Sequence, residues 1–133
     1  LAPVCGIPSV PVKAVIENGK VVEFHGGLEA GQYFDWLKSF NDPQMLRISH
    51  TGLGLNPGAE LSGDILQDQR VWGSATWAFG SIGANLIPPA GVPGASHSDC
   101  VALNISLWMD GEELIRDGRI VHEELAKLAE GLV

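Results

Sequence analysis

Residues 12–24 carry two short runs rich in β-branched residues, "VKAVIE" and "KVVEF", on either side of Asn18-Gly19. That dipeptide readily takes the positive φ angles of a tight turn, so the pattern predicts a β-hairpin. The period then changes. In "GLEAGQYFDWLKSF", Leu28, Tyr33, Trp36, Leu37 and Phe40 recur near helical spacing, which predicts a helix. Met45 to about His50 reads as a strand that opens into a glycine-rich loop with Gly52, Gly54, Pro57 and Gly58. Residues 64–70 fit one or two helical turns, with Ser62, Asp64 and Asp68 as capping and surface residues. "VWGSATWAFG" reads as a strand and "IPPAGVPGAS" as a loop leading to His97; "VALNISLWMD" then reads as a mostly buried strand. Breaks at Asp110-Gly111 and Asp117-Gly118 predict a β-meander, and "VHEELAKLAEGLV" closes as an amphipathic helix with Leu125, Leu128 and Leu132 on one stripe. Regular βαβ alternation is absent. The predicted class is α+β: a single domain over 1–133 with a mixed, mainly antiparallel sheet and flanking helices.

Composition narrows the partners. A chain of 133 residues, 45% hydrophobic, can bury one real core. It has no apolar run long enough to span a membrane and no signal peptide, so no membrane partner is expected. Lys+Arg 8 against Asp+Glu 16 gives a net charge of -8, which argues against nucleic acid because phosphates need clustered cations. Cys5 and Cys100 form no CxxC and are read as free thiols in a reducing cytoplasm, with a lone disulfide between them as the alternative. The Pro-rich start, "LAPVCGIPSVPV", reads as an extended segment, and Leu1 in place of Met suggests a piece of a longer protein.

The chemistry centres on "GASHSDC". In an extended chain residues i and i+2 face the same side, so His97 and Asp99 project together. They are either a polar pair satisfying itself or two arms of a metal site. His50 ends another predicted strand. Two His and one carboxylate from element ends match the facial triad of non-haem Fe(II) oxygenases. The same three groups plus water suit zinc hydrolysis. Residue types alone leave the polar-pair, iron and zinc readings open. His25 and His122 read as solvated. Cys100 should point away from Asp99, into the core. The "TGLGLNPG" glycines match no phosphate loop, because no Lys-Ser/Thr follows them. Trp72 and Trp77 are either aromatic pocket walls or core filler.

Over about residues 45–121, the run "HTGLGLNPGAEL…QDQRVWGSATWAFGSIGANL…ASHSDCVALNISLWMDGEELIRDGRIV" resembles the C-terminal domain of the aminopeptidase T/S group of metallopeptidases. Those proteins carry a pattern like "ELGxGxNP…RxxGTxHxAxG…HxD…xxDGxxxxxxG". The chain looks still more like the dioxygenase branch of that superfamily, typified by 2,5-dihydroxypyridine 5,6-dioxygenase. Its departures carry information. His50-Thr51 stands where the peptidases place a metal-binding Glu, and Thr76 stands where they place a His. Losing both would cripple a two-metal peptidase site.

The resemblance therefore implies one Fe(II) at His50, His97 and Asp99, and extradiol-type cleavage of a small hydroxylated N-heterocyclic aromatic by O2, as in aromatic catabolism. Ser81 and Thr76 become candidates to bind substrate, and no residue is assigned as general acid or base. It further implies an absent N-terminal domain that helps enclose the site, a homo-oligomer in the cytoplasm, and weak metal binding with little turnover for this chain alone. Two alternatives follow from the same kinship: a metallo-aminopeptidase-like hydrolase using Zn or Co, and a non-catalytic oligomerisation domain.

Overall fold

The structure, a computed structural model, describes residues 4–132. The α+β class holds, built from antiparallel strands and three helices. In place of one mixed sheet there are three small ones, ordered β1-β2, β3-β4-β5 and β6-β7-β8. The chain forms two compact units, each drawn from two stretches: residues 1–51 with 77–100, and residues 52–76 with 101–133.

The first unit opens with the expected hairpin, β1 (Lys13–Glu17) and β2 (Lys20–His25). Asn18 and Gly19 both have positive φ, and Glu17 pairs with Lys20 across them. Helix α1 (Leu28–Ser39) buries Ala30, Tyr33 and Leu37, a spacing of three and four residues that forms one face. Leu28 was expected on that stripe and is instead 75% exposed, because the buried face begins at Ala30 and Leu28 points away from it. Val21, Tyr33, Leu37, Met45 and Phe79 form the core, with Phe24, Trp36 and Phe40 packed against it. Full burial of a side chain such as Leu37 stabilises by roughly 1.5–3 kcal/mol.

The strand expected from Met45 starts later. Asp42 accepts a hydrogen bond from the Gln44 amide and Pro43 fills the first turn, so Pro43–Leu46 coil into a 3-10 turn. Strand β3 is Ile48–Leu53 and takes in residues expected as loop. β4 is Ala75–Ile82, and β5 is Val92–Ala102. β5 therefore takes in the second half of the expected loop before His97. Pro93 and Gly94 are accommodated in extended backbone, while Pro88, Pro89 and Gly91 stay in the loop. The buried strand expected over 101–110 is interrupted at Asn104, which has positive φ, and Trp108 and Met109 are exposed.

In the second unit, α2 (Ile65–Asp68) is capped as expected: Asp64 accepts from the Leu66 amide, and Asp68 accepts from the Ser62 and Gly63 amides. The glycine-rich loop is structural here. Gly54 donates to the Ser74 carbonyl and accepts from the Gly73 amide. The meander is β6 (Leu107–Met109), β7 (Glu112–Arg116) and β8 (Arg119–Ile120), with turns at Asp110-Gly111 and Asp117-Gly118. Helix α3 (Glu123–Ala129) follows, and the His122 ring accepts a hydrogen bond from the Leu125 amide at its start. The helix ends before Leu132, so only Leu125 and Leu128 of the expected stripe lie on α3, and all three line an open apolar groove with Leu107, Leu114 and Ile120. No helix among the described residues is long and apolar enough to cross a membrane.

Candidate metal centre

His50 is the third residue of β3, and His97 and Asp99 lie in the middle of β5, so all three sit within strands instead of at strand mouths. β4 separates the two strands in the sheet. Neighbouring strands lie about 4.8 Å apart, so side chains from β3 and β5 must reach over β4 to meet. Beside His97, β4 carries Ser81, whose carbonyl meets the His97 ring, and Gly80, whose amide donates to the Arg47 carbonyl on the chain leading into β3. Gly80 has φ +98°, and a β-carbon there would collide with the Ser96 carbonyl oxygen. A small residue at that position lets β4 and β5 approach. The 3-10 turn ties the same strands together: Asp42 accepts from the Ala95 amide at 2.8 Å, and the Gln44 amide side chain donates to the Gly80 carbonyl at 2.8 Å.

The two imidazoles stack with ring centroids 5.3 Å apart and planes 13° from parallel. Both turn Nε2 toward one carboxylate: His50 Nε2 lies 3.5 Å from Asp99 Oδ1, and His97 Nε2 lies 3.5 Å from Asp99 Oδ2. The three ligand atoms lie within 4.8 Å of one another. His97 Nδ1 is 2.8 Å from the Ser81 carbonyl oxygen, which can only accept. A proton therefore sits on Nδ1, and in the neutral ring Nε2 carries the lone pair on the side of Asp99. The same carbonyl accepts from the Ser49 hydroxyl at 2.7 Å.

The two 3.5 Å separations are longer than a hydrogen bond and short enough for one ion to lie between the atoms. A hydrogen bond between imidazole and carboxylate would close to about 2.7–3.0 Å. Bonds of about 2.0–2.2 Å to one ion place adjacent ligand atoms roughly 3.0–3.5 Å apart. Asp99 Oδ1 is buried and has no hydrogen-bond partner, an arrangement that costs free energy unless a cation meets it. The set of two imidazoles and one carboxylate is the donor chemistry of a mononuclear site.

The remaining sequence candidates fall elsewhere. Ser81 contributes its backbone carbonyl to His97, a role its hydroxyl had not suggested. Thr76 is buried in β4, its hydroxyl lacks a hydrogen-bond partner, and it is not one of the three converging residues. Trp77 is 41% exposed and so does not fill the core. Cys100 points away from Asp99 and packs on the core as expected, and burial raises its thiol pKa. Cys5 and Cys100 are both free. His25 pairs with Glu23 at the surface, and His122 lies 3.1 Å from Glu112. Ser49 and the Ser81 carbonyl were not legible beforehand, because a backbone acceptor leaves no residue-type signal.

Known proteins share this arrangement of chain. The structure of 2,5-dihydroxypyridine dioxygenase from Pseudomonas putida KT2440 superimposes with a TM-score of 0.67 at 25% identity, over 88% of this chain and 35% of that one. The 2,5-dihydroxypyridine 5,6-dioxygenase of the same organism is 31% identical over 115 residues, 82% of this chain and 33% of the relative. The chain thus spans about a third of the length of the relatives it matches. Residues 1–122 match the family described as 2,5-dihydroxypyridine 5,6-dioxygenase, and the chain belongs to that family.

Proposed function

We propose that this chain is the metal-bearing part of a non-haem Fe(II) ring-cleaving dioxygenase acting on a small hydroxylated N-heterocyclic aromatic. The observation that carries the reading is the convergence of His50 Nε2 and His97 Nε2 on the two oxygens of Asp99, one of them buried without a hydrogen bond. His50, His97 and Asp99 would hold the metal. Held there, Fe(II) would supply the redox chemistry that brings O2 to a hydroxylated ring. His97 is held by the Ser81 carbonyl in the tautomer that frees Nε2 for binding. The Asp99 side chain, 17% exposed, brings its charge to the site in a partly dehydrated setting where it attracts a cation more strongly than in water. The relatives are longer than the matched region, and turnover is proposed for a polypeptide of that greater length.

Anaerobic loading with saturating Fe(II), followed by metal analysis, tests the reading. About one iron per chain is expected in the parent and none in His97→Ala. Equal iron in both, or none in the parent, overturns it. The donor set also suits Zn or Co. Chelator-sensitive release of amine from an aminoacyl-anilide would favour the aminopeptidase-like hydrolase over oxygen chemistry.

A further inference from the structure

We propose that Tyr33 is a positioning residue for Asp99, acting from the far side of β5. This inference rests on the metal reading above. Its observation is separate: one hydroxyl touches the residues on both sides of Asp99. Tyr33 Oη lies 2.6 Å from Ser98 Oγ, and the Cys100 thiol donates to the same oxygen at 3.3 Å. Along an extended strand residues 98 and 100 share one face while 97 and 99 share the other. Holding 98 and 100 at one point fixes the roll of the strand at residue 99, and so fixes the direction in which the Asp99 carboxylate leaves the backbone.

The anchor itself is immobile. Tyr33 is fully buried, and its ring meets Phe24 edge-on at 5.6 Å, Trp36 in a stack at 5.9 Å and Phe79 edge-on at 6.4 Å. Ser98 is buried as well. Packing alone does not call for the hydroxyl. A Phe at position 33 would fill the same aromatic cage without burying a polar group that must find a partner. What the hydroxyl adds is a fixed point between α1 and β5. Asp99 needs one, because its Oδ1 has no hydrogen bond of its own to set the carboxylate's aim.

The test is an anaerobic Fe(II) titration of the parent, Tyr33→Phe, Ser98→Ala and the double variant, with the visible spectrum of the Co(II)-loaded proteins recorded alongside. Leu37→Ala serves as a control that weakens the same core without touching β5 through a hydrogen bond. Tyr33→Phe is expected to fold and to lose about 10–100-fold in Fe(II) affinity, as loss of an orienting partner typically does. Its Co(II) bands should shift, since the ligand geometry has changed. Ser98→Ala should move both readouts the same way but less, because Cys100 still meets the Tyr33 hydroxyl, and the double variant should fall short of the sum of the two singles, because the Tyr33–Ser98 bond is counted in both. Unchanged affinity and an unchanged Co(II) spectrum in Tyr33→Phe and Ser98→Ala overturn the inference. So does an affinity loss matched by Leu37→Ala, which would reduce Tyr33 to ordinary core packing. A parent that takes up no metal brings down the metal reading itself, and the inference with it.

Discussion

The two compact units bury their apolar side chains to very different degrees. In the first, Val21, Tyr33, Leu37 and Met45 are at most 1% exposed. In the second, Leu128 and Leu132 are 74% and 54% exposed and line an open groove. The converging His50, His97 and Asp99 belong to the first unit. The contrast teaches where accuracy is needed. Holding ligand atoms within a few tenths of an ångström calls for side chains locked by packing. A surface that presents apolar area has no such demand on its interior.

Substitutions can break or sharpen this contrast. The largest effect is expected from Leu37→Ala, which empties a closed core and should cost about 2–5 kcal/mol in urea unfolding. Gly80→Ala comes next. It forces an added methyl against the Ser96 carbonyl at a positive φ, so stability should fall by roughly 1–3 kcal/mol. Metal uptake should fall with it, because β4 and β5 are pushed apart beside His97. Asp99→Asn should separate stability from function. It removes the charge of a carboxylate whose buried Oδ1 has no hydrogen bond and only a 3.5 Å contact with His50 Nε2, so the metal-free protein should change by no more than about 1 kcal/mol while Fe(II) uptake is lost. Smallest is Leu128→Ser in the second unit, expected within about 0.5 kcal/mol of the parent and without effect on metal uptake. A cost for Leu128→Ser approaching that of Leu37→Ala would remove the contrast between the units.

Local signals were legible wherever the chain decides locally. The Asn18-Gly19, Asp110-Gly111 and Asp117-Gly118 turns all appear where they were read, because positive φ at both residues is a property of the dipeptide. The α1 period also held, apart from Leu28. The strand limits were less legible. Asp42 and Pro43 impose a turn on residues whose apolar character suggested a strand. β5 runs through Pro93 and Gly94, which read as loop residues, because hydrogen bonds such as that from the Ala95 amide to Asp42 hold the extended chain. Tyr33 was read only as a core residue of a helix. Its hydroxyl's partners stand 65 and 67 positions away, beyond any local pattern.

By itself the sequence determined the α+β class, the turn positions, and the fact that His97 and Asp99 share a face while Cys100 turns inward. Each follows from backbone geometry within a few residues. Only the tertiary structure decided that His50 joins them. That meeting depends on β4 lying between β3 and β5 with Gly80 close against Ser96, on the Ser81 carbonyl that orients the His97 ring, and on the tie from α1 that aims Asp99. Such contacts join segments far apart along the chain. Their free energy comes from packing and hydrogen bonds that do not exist until the core closes.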